Sequence, residues 1–426
     1  MNNIKLVSTL DLVECLSFAM DLTSPLIANH QRRVGYIAYQ LGREIGLPDE
    51  EQNDLLIAGL LHDCGALSML KRELTLRFDF DDVTLSTFDH AEAGYQLIKK
   101  FQPFAQVARY IRYHHLPWAR GAGTSKAADA VPIHSHIIHL ADRVDVLIGK
   151  GEHILLQSGQ ILKKISRKSD SLFAAHLVEA LQSLAGKESF WLDIETLNSG
   201  VVFSGYTNFS HLKLDAANFM NMVALFGYII DFRSRFTATH SSGVAATGEA
   251  LGRLAGFSAD DCFFLKMAGY LHDLGKLVVP NEILEKPGKL TPEEFAVIRS
   301  HTYYTYKILK KFRDLDEVSQ WAAYHHERID GKGYPFHLAG EELCLGARIM
   351  AVVDVFTAIA EDRPYRAGMN KERAVVILRE MAVNHALDAE LVDLLVHNLD
   401  EVNEIRIAAQ ARAQKDYQDF ERSLLK

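Results

Sequence analysis

Two series of histidines and aspartates with nearly the same spacing run through the chain. One lies in the first half and consists of His30, His62, Asp63, His90, His114, His115 and Asp142. The other lies in the second half and consists of His240, His272, Asp273, His301, His325, His326 and Asp354. Successive histidines are 32, 28 and 24 residues apart in the first series and 32, 29 and 24 in the second. A match over seven ordered positions predicts two copies of one domain.

Local signals predict that both copies are helical. Ser258 with Asp261, and Thr291 with Glu294, have the spacing of residues that cap the start of a helix. Apolar residues then recur at helical spacing, and no alternating strand pattern competes with them. The fold class predicted is therefore all-α, with tandem helical domains at residues 1–197 and 198–426.

Composition limits the class of partner and the compartment. The formal net charge of −9 argues against a nucleic-acid polymer or a membrane surface as partner. The four cysteines are scattered, which predicts a reducing cytoplasm rather than a disulfide framework. The start of the chain has no signal-peptide pattern. The apolar run at 218–230 is only 13 residues long, too short for a bilayer, and predicts a buried helix.

The residue types in the two series predict metal sites. Imidazole and carboxylate together suit Mn, Fe, Ni or Zn. Five histidines and two aspartates exceed the needs of one tetrahedral ion, so a pair of ions is expected in the second copy. Two metal ions a few ångströms apart are suited to the cleavage of phosphate esters.

The second half resembles an HD-GYP domain, a branch of the HD superfamily of metal-dependent phosphohydrolases. Four stretches carry the resemblance: HDLGK at 272–276, the lone His301, HHERIDGKGYP at 325–335, and ARIMAVVDVFTAIAEDRPYR at 347–366. The first half resembles a more general HD domain through HDCGA and ADRVD. The resemblance therefore implies that both predicted domains are helical domains of the HD superfamily.

The resemblance implies a phosphodiesterase that opens a guanine-containing cyclic dinucleotide to the linear 5′-phosphorylated form in bacterial second-messenger signalling. Cyclic di-GMP and 3′,3′-cyclic GMP-AMP are both candidate substrates. Two divalent ions are implied, with Fe or Mn favoured and Ni or Zn as alternatives. The ligands implied for one ion are His240, His272, Asp273 and Asp354. The ligands implied for the other are Asp273, His301, His325 and His326, with Asp273 bridging the two.

Further roles are implied around these ligands. Lys276 would stabilise negative charge at the scissile phosphate, and Arg363 and Arg366 would hold substrate phosphate. Gly333, Tyr334 and Pro335 would order the rim of the site. Tyr334 is expected either to stack on a base or to pack against the domain. Glu327 is expected either to hydrogen-bond a ligand histidine or to be exposed.

The second copy departs from the family pattern at three positions. Phe236 stands where many members have a glutamate that helps to hold a third ion, which favours two ions and release of the linear dinucleotide. Thr305 stands where glycine is usual. Thr357 replaces an aspartate that lies near substrate in the family, so that base selectivity is open.

The first copy keeps all seven ligand positions, so that a second metal site stays open there, but it lacks other parts. Ala66 stands at the position of Lys276, and HHLPWARGAGT contains no DGxGYP element. A regulatory or packing role is therefore expected there, with phosphatase activity on the linear product as the alternative.

Two other functions for the whole chain stay open at this point. One is an HD phosphohydrolase or 5′-nucleotidase that acts on nucleoside or dinucleotide monophosphates. The other is a non-catalytic signalling scaffold, against which the retained ligand set argues. The sequence also leaves a homodimer open.

Overall fold

The computed structural model describes residues 8–22, 29–68, 85–126, 129–197, 203, 214–231, 239–286, 288–311, 315–362 and 367–424. The described residues form two compact units, one within 8–214 and the other within 215–424. The proposed domain boundary between residues 197 and 198 stays a prediction.

The first unit is built from nine described α-helices and short 3₁₀ turns. The α-helices are α1 (Thr9–Asp21), α2 (His30–Glu44), α3 (Asp49–Leu61), α4 (Leu85–Ile98), α5 (Ala105–Arg112), α6 (Ile133–Val146), α7 (Ile154–Ser166), α8 (Ala175–Ala185) and α9 (Glu188–Thr196). A 3₁₀ turn at Cys64–Ser68 follows α3. The strands of the described part of the chain are β1 (Ser125–Lys126) and β2 (Asp129–Ala130), which pair antiparallel.

The second unit continues the helical pattern. Its described helices are α10 (Ala216–Asp231), α11 (His240–Leu254), α12 (Ala259–Leu271), α13 (Asn281–Leu284), α14 (Pro292–Leu309), α15 (Asp316–Ala323), α16 (Leu345–Ala360), α17 (Lys371–Val383), α18 (Ala389–His397) and α19 (Leu399–Leu424). A 3₁₀ turn at Leu274–Val278 follows α12.

The all-α prediction is confirmed, and so are its local signals. Ser258 caps α12 through a reciprocal pair of bonds with Asp261, and Thr291 caps α14 in the same way with Glu294. The apolar run at 218–230 lies within α10, whose apolar face is buried. No helix in the described ranges combines the length and apolar character that crossing a bilayer requires.

The two units place their histidine series on equivalent elements. The first histidine begins α2 in one unit and α11 in the other. The His-Asp pair follows α3 or α12, and the third histidine lies on α4 or α14. The paired histidines follow α5 or α15, and the last aspartate lies on α6 or α16. The prediction of tandem copies is thus supported element by element.

A close backbone approach fixes the turn that carries each His-Asp pair. An added Cβ on Gly275 would lie 1.9 Å from the carbonyl oxygen of His301 and 2.7 Å from the amide nitrogen of Thr305. The corresponding Gly65 would meet the backbone of His90 at 2.1 Å. Because neither contact is with a flexible side chain, only glycine lets this turn pack against α14 or α4.

Substitution of Gly275 should therefore disrupt both the fold and the cluster. We expect Gly275→Ala to lower the free energy of unfolding by about 3 kcal/mol, since the turn must move away from α14. Chemical denaturation measures the loss. Gly248→Ala is the control, because its Cβ would have neighbours no closer than 3.8 Å. Equal stability of the two variants would contradict this packing.

Candidate metal centre

The second series of residues converges into one buried group, the C-terminal cluster. It contains the same seven residues that the sequence singles out: His240, His272, Asp273, His301, His325, His326 and Asp354. All except the half-buried His326 are buried. Two trios, His240–His272–Asp273 and His301–His325–His326, each have potential ligand atoms within 4.8 Å of one another.

Two carboxylates connect the histidines of this cluster. Asp273 places Oδ2 at 3.2 Å from His272 Nε2 and Oδ1 at 3.5 Å from His301 Nε2. Asp354 places Oδ1 at 3.0 Å from His240 Nε2, and its Oδ2 lies 3.9 Å from His326 Nδ1. Each carboxylate therefore faces histidines from both trios, which is the geometry that a bridging ligand needs.

Backbone carbonyls fix the ring orientation of three of these histidines. The Nδ1–H group of His272 donates to Gly269 O at 2.8 Å, and His301 and His325 donate to carbonyls three residues earlier at 2.6 Å each. A carbonyl only accepts, so Nδ1 carries the proton and Nε2 carries the lone pair. These Nε2 atoms point into the cluster, as metal ligands require.

The donor set fits divalent transition metals. His272 Nε2 and Asp273 Oδ1 are buried and have no hydrogen-bond partner among the described residues, although both lie inside the cluster. Burial would raise the pKa of Asp273, but the neighbouring His272 and Lys276 hold it well below its usual range. A buried, ionised carboxylate among imidazoles provides the mixed O/N ligation that Fe and Mn accept.

Lys276 lies against the carboxylate of Asp273. Its Nζ is 2.5 Å from Asp273 Oδ2, and its side chain is 25% exposed, against 2% for Asp273. Burial opposes the charge on this lysine, yet Asp273 raises its pKa above the ordinary value. The ammonium group is therefore a fixed cation at the edge of the cluster.

The loop after the paired histidines packs back onto them. An added Cβ on Gly333 would lie 2.4 Å from Glu327 Cα, so only glycine permits this approach. The ring of Tyr334 lies 4.9 Å from that of His326, and the guanidinium of Arg299 lies 4.8 Å from the Tyr334 ring. Packing of Tyr334 against the domain is thus observed.

Both expectations for Glu327 were wrong. This carboxylate is buried, and it accepts hydrogen bonds from the backbone N–H groups of Phe336 at 2.6 Å and Leu338 at 3.2 Å. It therefore holds the GYP loop from beneath rather than a ligand histidine. The sequence gives no local signal for this, because the partners are backbone groups nine and eleven residues away.

Thr305, the first departure within the described ranges, has a structural role. Its hydroxyl donates to His272 O and accepts from the N–H of Gly275, both at 2.9 Å. The threonine therefore ties the His-Asp turn to α14.

The predicted phosphate-binding residues Arg363 and Arg366 lie outside the described residues.

One contact of the cluster was missed by sequence reasoning. His240 Nδ1 lies 3.1 and 3.2 Å from the two oxygens of Glu361, which is buried. Burial alone would lower the pKa of His240, but Glu361 and Asp354 raise it to about 10. The available signal was the position of Glu361, one helical turn after Thr357.

The first series also converges, into the N-terminal cluster of His30, His62, Asp63, His90, His114, His115 and Asp142. Asp63 lies 3.4 Å from His62 Nε2 and 3.3 Å from His90 Nε2, as Asp273 does in its own cluster. One charge differs. Arg143 donates to Asp142 Oδ2 at 2.6 Å. The C-terminal cluster has no arginine at the corresponding position. The N-terminal cluster therefore has a guanidinium beside its last aspartate, and it has Ala66 at the position that Lys276 occupies in the C-terminal cluster.

Comparison with known proteins agrees with two related domains. Models of the HD domain match residues 27–147 and residues 225–391. The 3′3′-cGAMP-specific phosphodiesterase 1 of Vibrio cholerae serotype O1 is 33% identical over 404 residues, 92% of each chain. The cyclic di-GMP phosphodiesterase PA4108 of Pseudomonas aeruginosa is 44% identical over 141 residues, which cover 33% of this chain and 34% of that protein.

A solved structure extends the similarity to the fold. The cyclic GMP-AMP specific phosphodiesterase V-cGAP3 of Vibrio cholerae aligns with a TM-score of 0.62 and 27% identity, over 92% of this chain and 97% of that chain. With the two HD-domain matches and a relative that spans almost the whole chain, the protein belongs to the HD-GYP family of cyclic-dinucleotide phosphodiesterases, with a further HD domain ahead of the HD-GYP domain.

Proposed function

We propose that this protein is a metal-dependent phosphodiesterase that hydrolyses a guanine-containing cyclic dinucleotide. The observation that carries the proposal is the buried C-terminal cluster, in which Lys276 and two carboxylates surround converging histidine Nε2 atoms. The reaction consumes one water and breaks one P–O3′ bond. Its product is the linear dinucleotide with a 5′-phosphate.

Residues of the chain supply positioning and charge for this reaction. Metal ions bound by the seven residues of the C-terminal cluster would activate water and neutralise phosphate charge. Lys276, held at Asp273, would stabilise negative charge that grows on the phosphate oxygens as water adds. Asp273 would orient both halves of the ligand set. Tyr334 lies at the rim beside His326, where its ring would contact a nucleobase.

A preference for 3′3′-cGAMP over cyclic di-GMP is part of the proposal. Two Vibrio cholerae relatives named as 3′3′-cGAMP-specific match about nine tenths of this chain, at 92% and 89% coverage. The PA4108 protein, named for cyclic di-GMP, matches 33% of it. Fe or Mn is the proposed metal, since the mixed imidazole and carboxylate ligands suit both. The cytoplasmic location stays a prediction.

The N-terminal cluster is proposed to bind metal without hydrolysing cyclic dinucleotides. Its histidines and Asp63 are arranged as in the C-terminal cluster. It lacks the lysine and the GYP loop, and Arg143 neutralises Asp142. The N-terminal domain would therefore stabilise the protein or regulate its activity.

The first prediction concerns substrate and cluster together. Protein loaded with Mn²⁺ or Fe²⁺ should cleave both cyclic dinucleotides, with the larger kcat/KM for 3′3′-cGAMP. Asp273→Ala should abolish cleavage, because it removes the bridging carboxylate. Chromatography of the products measures both. Asp63→Ala, the matching change in the N-terminal cluster, is the control and should keep cleavage. Folded, metal-loaded protein that cuts neither substrate would overturn the proposed function.

The second prediction isolates the lysine. Lys276→Met should lower kcat about 100-fold, since one preorganised cation at the phosphate is lost. Metal content, measured by mass spectrometry of the folded protein, should stay at the wild-type level. Lys289→Ala, which removes an exposed lysine of the same unit, serves as the control. A Lys276→Met protein with the wild-type kcat would exclude the proposed role.

The third prediction addresses the N-terminal cluster. Asp273→Ala combined with Asp354→Ala should remove metal from the C-terminal cluster while bound metal remains elsewhere in the chain. Adding Asp63→Ala and His90→Ala should remove that remainder. Metal per chain after gel filtration is the measurement. If the first double variant already contains no metal, the N-terminal cluster does not bind it under those conditions and this part of the proposal fails.

A further inference from the structure

The first histidine of each cluster begins a helix and therefore lacks the backbone partner that His272, His301 and His325 use. His272, His301 and His325 donate Nδ1–H to a carbonyl three residues earlier, in the preceding turn of backbone. His240 is the first residue of α11, so no earlier turn of that helix offers it a carbonyl. Another acceptor must fix its ring if Nε2 is to face a metal.

In the first unit a carboxylate is the acceptor that fixes the ring of the first histidine. His30 begins α2, and its Nδ1 lies 2.6 Å from Asp145 Oδ2. Asp145 is three residues after the cluster aspartate Asp142, on the same face of α6. Arg33, one turn into α2, holds Asp145 in place through both of its oxygens.

The second unit lacks both of these residues. Thr357 stands where Asp145 would be, and Gly243 stands where Arg33 would be. Thr357 is buried, and its hydroxyl has no hydrogen-bond partner among the described residues. The threonine therefore cannot be what orients His240.

A carboxylate from the next helical turn takes the same place. Glu361 follows α16 four residues after Thr357, and its oxygens lie 3.1 and 3.2 Å from His240 Nδ1. The extra methylene of glutamate, compared with aspartate, supplies the longer reach that this position needs. The two units thus reach the same contact from positions one turn apart.

The last helix replaces the missing arginine. Gln410, on α19, donates from Nε2 to Glu361 Oε2 at 2.9 Å, and Arg406 donates to the Gln410 carbonyl oxygen. An added Cβ on Gly243 would lie 2.9 Å from both Gln410 Nε2 and Thr357 Cγ2. The absence of a side chain at Gly243 is therefore what admits Gln410.

We propose that Glu361 is a positioning residue for His240, and that Gln410 makes the α19 helix a supporting part of the metal centre. Glu361 keeps a proton on His240 Nδ1, which leaves Nε2, beside Asp354, as the atom that would bind a metal ion. Gln410, which supports Glu361, is neutral, whereas Arg33, which supports Asp145, is charged. The inference rests on the proposed metal centre, but it does not depend on which substrate is cleaved.

Transfer of the first unit's solution into the second unit tests this inference. Glu361→Ala should weaken metal binding about ten- to hundredfold, as expected for loss of an outer hydrogen-bond partner. Thr357→Asp, added to Glu361→Ala, should raise the metal affinity about tenfold above that of Glu361→Ala alone, because it supplies the carboxylate as Asp145 does. Gln410→Ala should give a smaller loss. Titration of chelator-treated full-length protein with Mn²⁺ measures the affinity, without any nucleotide.

Controls separate positioning from folding. Glu380→Ala removes an exposed carboxylate on α17 and should leave Mn²⁺ affinity unchanged. Circular dichroism selects variants that are folded, and Glu361→Gln replaces the anion with a neutral side chain of the same size if alanine does not fold. Wild-type Mn²⁺ affinity in folded Glu361→Ala or Glu361→Gln, or no gain from Thr357→Asp, would overturn the inference. If metal binding behaves as expected but no cyclic dinucleotide is cleaved, the proposed function alone fails.

Discussion

The packing of the second unit depends on the contacts between the buried carboxylate of Asp273 and the imidazoles and ammonium group around it. A carboxylate that is 2% exposed can stay ionised only if positive or polarised groups surround it. Three groups do so: His272 at the end of α12, Lys276 in the 3₁₀ turn that follows α12, and His301 in the middle of α14. Gly275 lets that turn lie directly against α14. The chemistry proposed for the site and the packing of the unit therefore depend on the same few residues.

The two units show how one ligand framework can support different charges. Both place seven histidines and aspartates on equivalent helices, yet the cation lies on a different aspartate in each. In the first unit Arg143 binds the last aspartate. In the second unit Lys276 binds the first, beside the position proposed for a phosphate. This difference, together with the GYP loop, gives a physical reason for assigning hydrolysis of the cyclic dinucleotide to the second unit.

Much of this arrangement could be predicted from the sequence, because its signals are local. The spacing of the histidines predicts two copies, and the caps at Ser258 and Thr291 predict the starts of α12 and α14. The convergence of the seven residues was expected from the family resemblance. The partners of Glu327 and Glu361 were not predicted, since they depend on how distant backbone and helices meet. Gln410 is 49 residues from Glu361, and no periodicity links the two.

We expect the C-terminal cluster to hold two metal ions that share Asp273. Anomalous X-ray diffraction from crystals of the Mn²⁺-loaded protein tests it most directly, because it locates each ion without reference to activity. Two anomalous peaks are expected in this cluster, one beside His240 and His272 and one beside His301 and His325, with Asp273 between them. A metal-loaded crystal with no peak there, or with ions that do not contact Asp273, would contradict it.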